Sequence, residues 1–187
     1  MEALTTSTLA VAIAEIGDKT QLLALVLACR YQKPLLIAAG ILLATVINHA
    51  LAGTVGVWLQ SWLDPDWLRW LLAASFFVMA AWMMIPDKAD DTDSRFYRLG
   101  PFMATFILFF IAEIGDKTQI ATTLLAARFV DDFWWVVAGT TLGMMAANLP
   151  VVLAGHKGSG RIPMHWVHGI SALIFLVLGI TTLWWPL

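Results

Sequence analysis

The chain has 187 residues, 60% of them hydrophobic and 13% charged, and carries a formal net charge of −2. A water-soluble core of this size does not need so much apolar material, so the long apolar runs read as membrane spans, and the near-neutral charge gives no electrostatic basis for binding nucleic acid. A lone cysteine, Cys29, cannot form an intramolecular disulfide, and no Cys-His cluster points to a zinc or redox centre.

A spanning helix takes about 20 apolar residues, and six stretches meet that length, at roughly 4–29, 34–59, 67–86, 101–127, 133–155 and 166–186. No basic residue precedes the first run, so a cleavable signal peptide is not expected and the first helix is expected to stay in the mature protein. That helix contains Ala14-Glu15-Ile16-Gly17-Asp18-Lys19-Thr20-Gln21, and the second carries Asn48 in its interior. After the third comes the only long polar segment, 87–99, opening Asp87-Lys88-Ala89-Asp90-Asp91. Its plain reading is a solvated linker; its sharper reading is an acidic mouth that concentrates cations. The fourth stretch returns the motif unchanged as Ala112-Glu113-Ile114-Gly115-Asp116-Lys117-Thr118-Gln119, and the fifth holds Asn148 just before Pro150. His165 and His168, at the entry to the sixth, have a spacing that suits a metal but sit at a membrane interface, and Met79, Met83, Met84, Met144 and Met145 read as apolar lining.

The repeated motif, with Arg30 matching Arg128 and Asn48 matching Asn148, makes the chain a tandem duplication: residues 1–86 and 100–187, joined by the linker 87–99. Three helices per half is an odd number, so the second half is expected to enter the membrane upside down relative to the first. The expected fold is therefore an all-α integral membrane protein of six transmembrane helices in two inverted-topology three-helix repeats, with a site at the midplane between them. Alternating the connections puts Arg30, Lys33, Lys88, Arg95, Arg98, Lys157 and Arg161 on one side and only Arg69 and Arg128 on the other. The positive-inside rule makes the first side cytoplasmic, with both termini outside. Trp58, Trp62, Trp67, Trp70, Trp134, Trp135, Trp184 and Trp185 fall near the outer helix ends, where such rings anchor at the interface.

Read as continuous helices, the fourth-residue periodicity puts Glu15, Asp18 and Lys19 on one face, and likewise Glu113, Asp116 and Lys117, with Gln21 and Gln119 beside the aspartates. Each charge near the middle of a bilayer costs about 2.5–3.5 kcal/mol, so six cost roughly 15–20 kcal/mol, more than packing alone justifies. Buried ion pairs that fix helix register are the alternative, weakened by the exact repetition of the motif at matching depth. Four carboxylates with the hydroxyls of Thr20 and Thr118 and the amides of Gln21 and Gln119 make a hard-oxygen donor set suited to Mn²⁺, Ca²⁺ or Mg²⁺. Four acids less two lysines leave about −2, which one divalent ion neutralises. Protons neutralise it equally well, so metal and protons compete for one site. Gly17 and Gly115 allow either close helix packing, the commoner reason for glycine there, or a local break that frees backbone carbonyls. Lys19 and Lys117 are either fixed partners of the glutamates or tethered cations that fill the site without metal. Asn48 and Asn148 serve interhelical hydrogen bonding or secondary ligation.

Glu-hydrophobic-Gly-Asp-Lys/Arg-Thr/Ser, occurring twice in a small protein of two three-helix halves, resembles the family of bacterial MneA-type manganese exporters and eukaryotic Golgi and thylakoid Mn²⁺/Ca²⁺ transporters. The resemblance covers essentially the whole chain and matches at every motif position. It implies that Glu15, Asp18, Glu113 and Asp116 bind the cation, that transport is cation/H⁺ antiport, and that the protein sits in a bacterial inner membrane. The expected partners are a divalent metal ion, protons and the lipid bilayer, with no tightly bound cofactor. Mn²⁺ export is the favoured expectation, Ca²⁺/H⁺ exchange the nearest alternative and small-solute (amino acid) export an alternative of another class. No nucleophile-base pair or metal-hydrolase pattern suggests an enzyme.

Overall fold

The structure, a computed structural model, describes residues 1–82, 84–85, 96–154 and 164–184, the side chains of Pro65 and of 164–171 excepted. Eight α-helices are found among these residues, and no strand: α1 Glu2–Glu15, α2 Lys19–Tyr31, α3 Pro34–Trp62, α4 Pro65–Trp82, α5 Pro101–Glu113, α6 Lys117–Arg128, α7 Phe133–Ala154 and α8 Met164–Trp184. The all-α expectation holds, and the long stretches expected at 34–59 and 133–155 appear as α3 and α7, both apolar and long enough to cross a bilayer. Proline marks several starts, at Pro34, Pro65 and Pro101, where a missing N–H costs nothing.

The first and fourth stretches differ from the expectation. Each is two helices, broken inside the motif at Ile16–Asp18 and Ile114–Asp116. Gly17 and Gly115 have φ of +83° and +74°, in the left-handed region that glycine enters at no steric cost. A Cβ placed on Gly115 would meet nothing within 4 Å, so this glycine serves the break and not close packing. The shared helical face assumed for Glu15, Asp18 and Lys19, and for Glu113, Asp116 and Lys117, does not exist: each glutamate ends one helix and each aspartate starts the next.

The halves pack by exchange. α1 and α2 lie on α7, α5 and α6 lie on α3, and the pairs α3/α7 and α4/α8 meet across the middle. Small residues let α7 approach α1: Cβ atoms on Gly139 and Gly143 would stand 2.6 and 2.7 Å from the carbonyl oxygens of Leu4 and Thr8. Two apolar cores result. One joins α4, α6 and α8 with the start of α1, around Leu72, Phe76, Leu125 and Phe175. The other joins α2, α5 and parts of α3 and α7, around Leu27, Ile41, Phe109 and Met144. Each motif is the stretch of chain that passes from one core to the other.

At the end of α2 the Tyr31 hydroxyl donates to the Tyr97 carbonyl at 2.6 Å, and the Arg30 guanidinium lies 4.4 Å from the Tyr97 ring centre. These contacts tie the first half to the 3-10 turn Phe96–Leu99 that leads into the second. Trp58, Trp62, Trp67, Trp70, Trp134, Trp135 and Trp184 are all exposed, as interface anchors must be. Met79 and Met144 are buried lining, whereas Met84 is exposed. The side chains of Met83, His165, His168 and Trp185, and residues 87–95 of the linker, lie outside the described residues.

Candidate metal site

The local chain explains the break. After Glu15 the backbone extends at Ile16, turns at Gly17 and extends again at Asp18, whose Oδ1 accepts a hydrogen bond from the Lys19 N–H at 2.7 Å as α2 begins. Gln21 reaches back and its Oε1 accepts from the Gly17 N–H at 2.8 Å. In the second copy Gln119 Oε1 accepts from the Gly115 N–H at 2.6 Å. The motif's Asp-Lys-Thr-Gln is thus a helix start of capping-box type, in which a side chain three residues on returns to satisfy an orphaned donor. Both glutamines serve this turn, and Gln21 Nε2 also donates to the Ala147 carbonyl of α7 at 2.9 Å.

The breaks bring the acids together despite the lost helical face. Single carboxylate oxygens of Glu15, Asp18 and Asp116, from both halves, lie within 4.8 Å of one another. All three residues are buried, Glu15 completely. Thr20 Oγ1 donates to Glu15 Oε2 at 2.6 Å, and Glu15 Oε1 has no hydrogen-bond partner among the described residues. Thr118 Oγ1 makes a longer contact of 3.4 Å with Asp116 Oδ2. Lys19 crosses between halves, its Nζ 3.6 Å from Asp116 Oδ1, while Lys117 Nζ donates to the Ile85 carbonyl at 2.7 Å and stands 5.9 Å from the Trp82 ring centre. The two lysines of the repeat therefore have different surroundings.

Glu113 stands outside the group of three. It is completely buried, neither of its oxygens makes a hydrogen bond among the described residues, and its Oε2 lies 3.6 Å from Nε2 of His49 in α3. His49 was missed in the sequence, although an ionisable residue in the middle of the longest apolar helix is a signal in its own right. Asn48 Nδ2 donates across to the Phe110 carbonyl of α5 at 3.1 Å. Asn148 Nδ2 stays within α7, donating to the Met144 carbonyl at 3.1 Å and facing Met144 Sδ at 3.0 Å. Both asparagines are buried and leave Oδ1 without a hydrogen bond among the described residues.

Buried carboxylates gathered from two broken helices, with threonine hydroxyls beside them, are a donor set of the kind that can hold a hard divalent cation. Comparison with known proteins assigns the same class. The sequence matches the family described as "Divalent cation/proton antiporter GDT1" over residues 3–91 and 101–186. It is 52% identical to a Vibrio cholerae protein described as "Putative manganese exporter", over 97% of this chain and 90% of that one. A Synechocystis protein described as GDT1-like is 28% identical over 99% of this chain and 98% of its own length. The Saccharomyces cerevisiae protein described as divalent cation/proton antiporter GDT1 is 22% identical over 91% of this chain and 79% of its own. No solved structure matches. The chain belongs to the GDT1 family, and its class is that of a membrane transporter of divalent cations.

Proposed function

We propose that the protein exports Mn²⁺ from the cytoplasm in exchange for protons. The observation that carries the reading is the approach of Glu15, Asp18 and Asp116 to within 4.8 Å, because buried like charges at that spacing need a cation or protons to be stable. In this reading Glu15, Asp18, Glu113 and Asp116 hold the ion, and Thr20 keeps Glu15 oriented by its hydrogen bond. Asn48 and Asn148 supply further carbonyl oxygens. Lys19 is the tethered cation that approaches Asp116 when no metal is bound, and Lys117 anchors to the end of α4. The family's description supports proton exchange, and the name of the Vibrio relative supports manganese as cargo.

The chain forms six spans as two inverted three-helix repeats, 1–86 and 100–187, with the linker 87–99 in the cytoplasm and both termini outside, in a bacterial inner membrane. Each broken helix counts as one span: α1 with α2 contains 27 helical residues, and about 20 suffice to cross the hydrocarbon. Exchange follows from charge. The cluster prefers two protons or one divalent ion to an empty state, so the side that offers more protons draws metal toward itself while the protons cross to the other side.

The test is labelled Mn²⁺ uptake into inside-out vesicles with Ca²⁺ or amino acids as competitors. Mn²⁺ uptake resisted by a large excess of Ca²⁺ and untouched by amino acids is expected. Preferred Ca²⁺ uptake would make the protein a Ca²⁺/H⁺ antiporter, and amino-acid uptake without metal uptake would overturn the reading.

A further inference from the structure

Duplication supplied the acids twice, but the histidine facing them occurs once. Matching Asn48 with Asn148 aligns His49 with Leu149, so the first half contributes an imidazole where the second contributes an apolar side chain. His49 is completely buried, and neither ring nitrogen makes a hydrogen bond among the described residues. Buried polar groups are nearly always satisfied, and a buried imidazole ordinarily gives one N–H to a carbonyl or carboxylate. Here a carboxylate faces it: Glu113 Oε2, itself completely buried and without hydrogen bonds among the described residues, lies 3.6 Å from Nε2. That gap is too long for a hydrogen bond. It suits two ligands of one ion: donors about 2.1–2.6 Å from a metal and at right angles to each other lie roughly 3.0–3.7 Å apart.

We propose that His49 is a nitrogen ligand of the transported ion, acting with Glu113, and that it gives the site its preference for manganese over calcium. The inference rests on the divalent-cation reading above and adds the residue that chooses the ion. Calcium takes oxygen ligands and gains little from an imidazole, whereas first-row transition ions bind imidazole nitrogen readily. The three carboxylates of Glu15, Asp18 and Asp116 do not distinguish the two ions by donor type, so the single nitrogen carries the discrimination. A histidine that only oriented Glu113 would support both ions equally.

The experiment is pulsed electron paramagnetic resonance of Mn²⁺ bound to the purified protein, which detects a directly bonded nitrogen by its modulation of the spin echo. Wild type should show ¹⁴N modulation that becomes ¹⁵N modulation on labelling the histidines. His49→Gln should lose it, and a variant with His156, His165 and His168 all replaced by Gln should keep it. In transport, His49→Gln should cut the excess of Ca²⁺ needed to halve Mn²⁺ flux by at least tenfold. If His49→Gln does not fold, the labelled wild type and the triple variant decide the question alone. Bound Mn²⁺ without nitrogen modulation would overturn the proposal and leave the cation site standing. No Mn²⁺ binding by wild type would overturn both.

Discussion

Glu15 shows how narrowly the buried charges are provided for. One of its oxygens accepts the Thr20 hydroxyl at 2.6 Å, and the other faces the cluster without a partner. Satisfying half of a carboxylate and aiming the rest at its neighbours is poor design for stability and good design for ligation. If the acids act as one unit, Glu15→Gln and Glu113→Gln each abolish Mn²⁺ flux in vesicles, and the double variant is little worse than either single, because groups that work together are not additive. Two half-active singles and a dead double would indicate two independent pathways. The four acids, both lysines and their duplication were legible in the sequence because a charge in an apolar run has few structural excuses. His49 was not, since it lies outside the repeated motif and only the packing of α3 on α5 brings it to Glu113.

At the scale of the element, the lesson lies in Asp-Lys-Thr-Gln. Helical periodicity placed Glu15 and Asp18 on one face, yet the same residues spell a helix start: aspartate at the cap, glutamine three residues later and a glycine before them. The capping chemistry won, because a left-handed glycine interrupts the helical ladder and the side chains of Asp18 and Gln21 occupy donors that the break leaves open. The structural result is a half-helix end at the acids, with α2 and α6 starting there. Gly115 tests this cleanly, since a Cβ there has room and the only obstacle is its φ of +74°. Gly115→Ala should destabilise the purified protein by about 1–2 kcal/mol, the cost of forcing a side chain into that region. Gly115→Asn, which tolerates it, should cost less, and Gly115→Val more. Thermal unfolding followed by tryptophan fluorescence reads the order, and equal stability of all three would show that the turn does not need the left-handed conformation.

For the whole molecule, the pairing of α1 with α7 and of α5 with α3 means that neither half makes its packing alone. The duplication led to the expectation of a site between two halves, and it did not say which helices would pack on which. It did not predict the asymmetry in which α8 touches α1 while α4 touches α6, or the different stations of Lys19 and Lys117, because identical motifs cannot report unequal surroundings. The proposed orientation is open to direct test. Lys33 and Asp64 are exposed beyond opposite ends of α3, and Cys29 can be replaced by Ser to give a cysteine-free background. Asp64→Cys should react with a membrane-impermeant thiol reagent in intact cells and Lys33→Cys should not, until the membrane is opened. The reverse pattern would invert the topology and leave the site intact.

The central claim is that one set of carboxylates serves both metal and protons. The measurement that bears on it most directly is proton movement in proteoliposomes, followed with a trapped pH indicator while Mn²⁺ is added outside. Metal binding requires deprotonated ligands, so affinity falls as pH falls, and each Mn²⁺ that enters must send protons outward. Wild type should therefore make the vesicle interior more alkaline in step with Mn²⁺ entry, and an imposed gradient, acid inside, should accelerate that entry. Asp116→Asn should weaken Mn²⁺ affinity at least tenfold, equivalent to about 1.4 kcal/mol, and flatten the dependence of the remaining flux on pH between 6 and 8. Mn²⁺ entry with no proton movement in wild type, or an unchanged pH profile in Asp116→Asn despite weakened metal binding, would contradict the account.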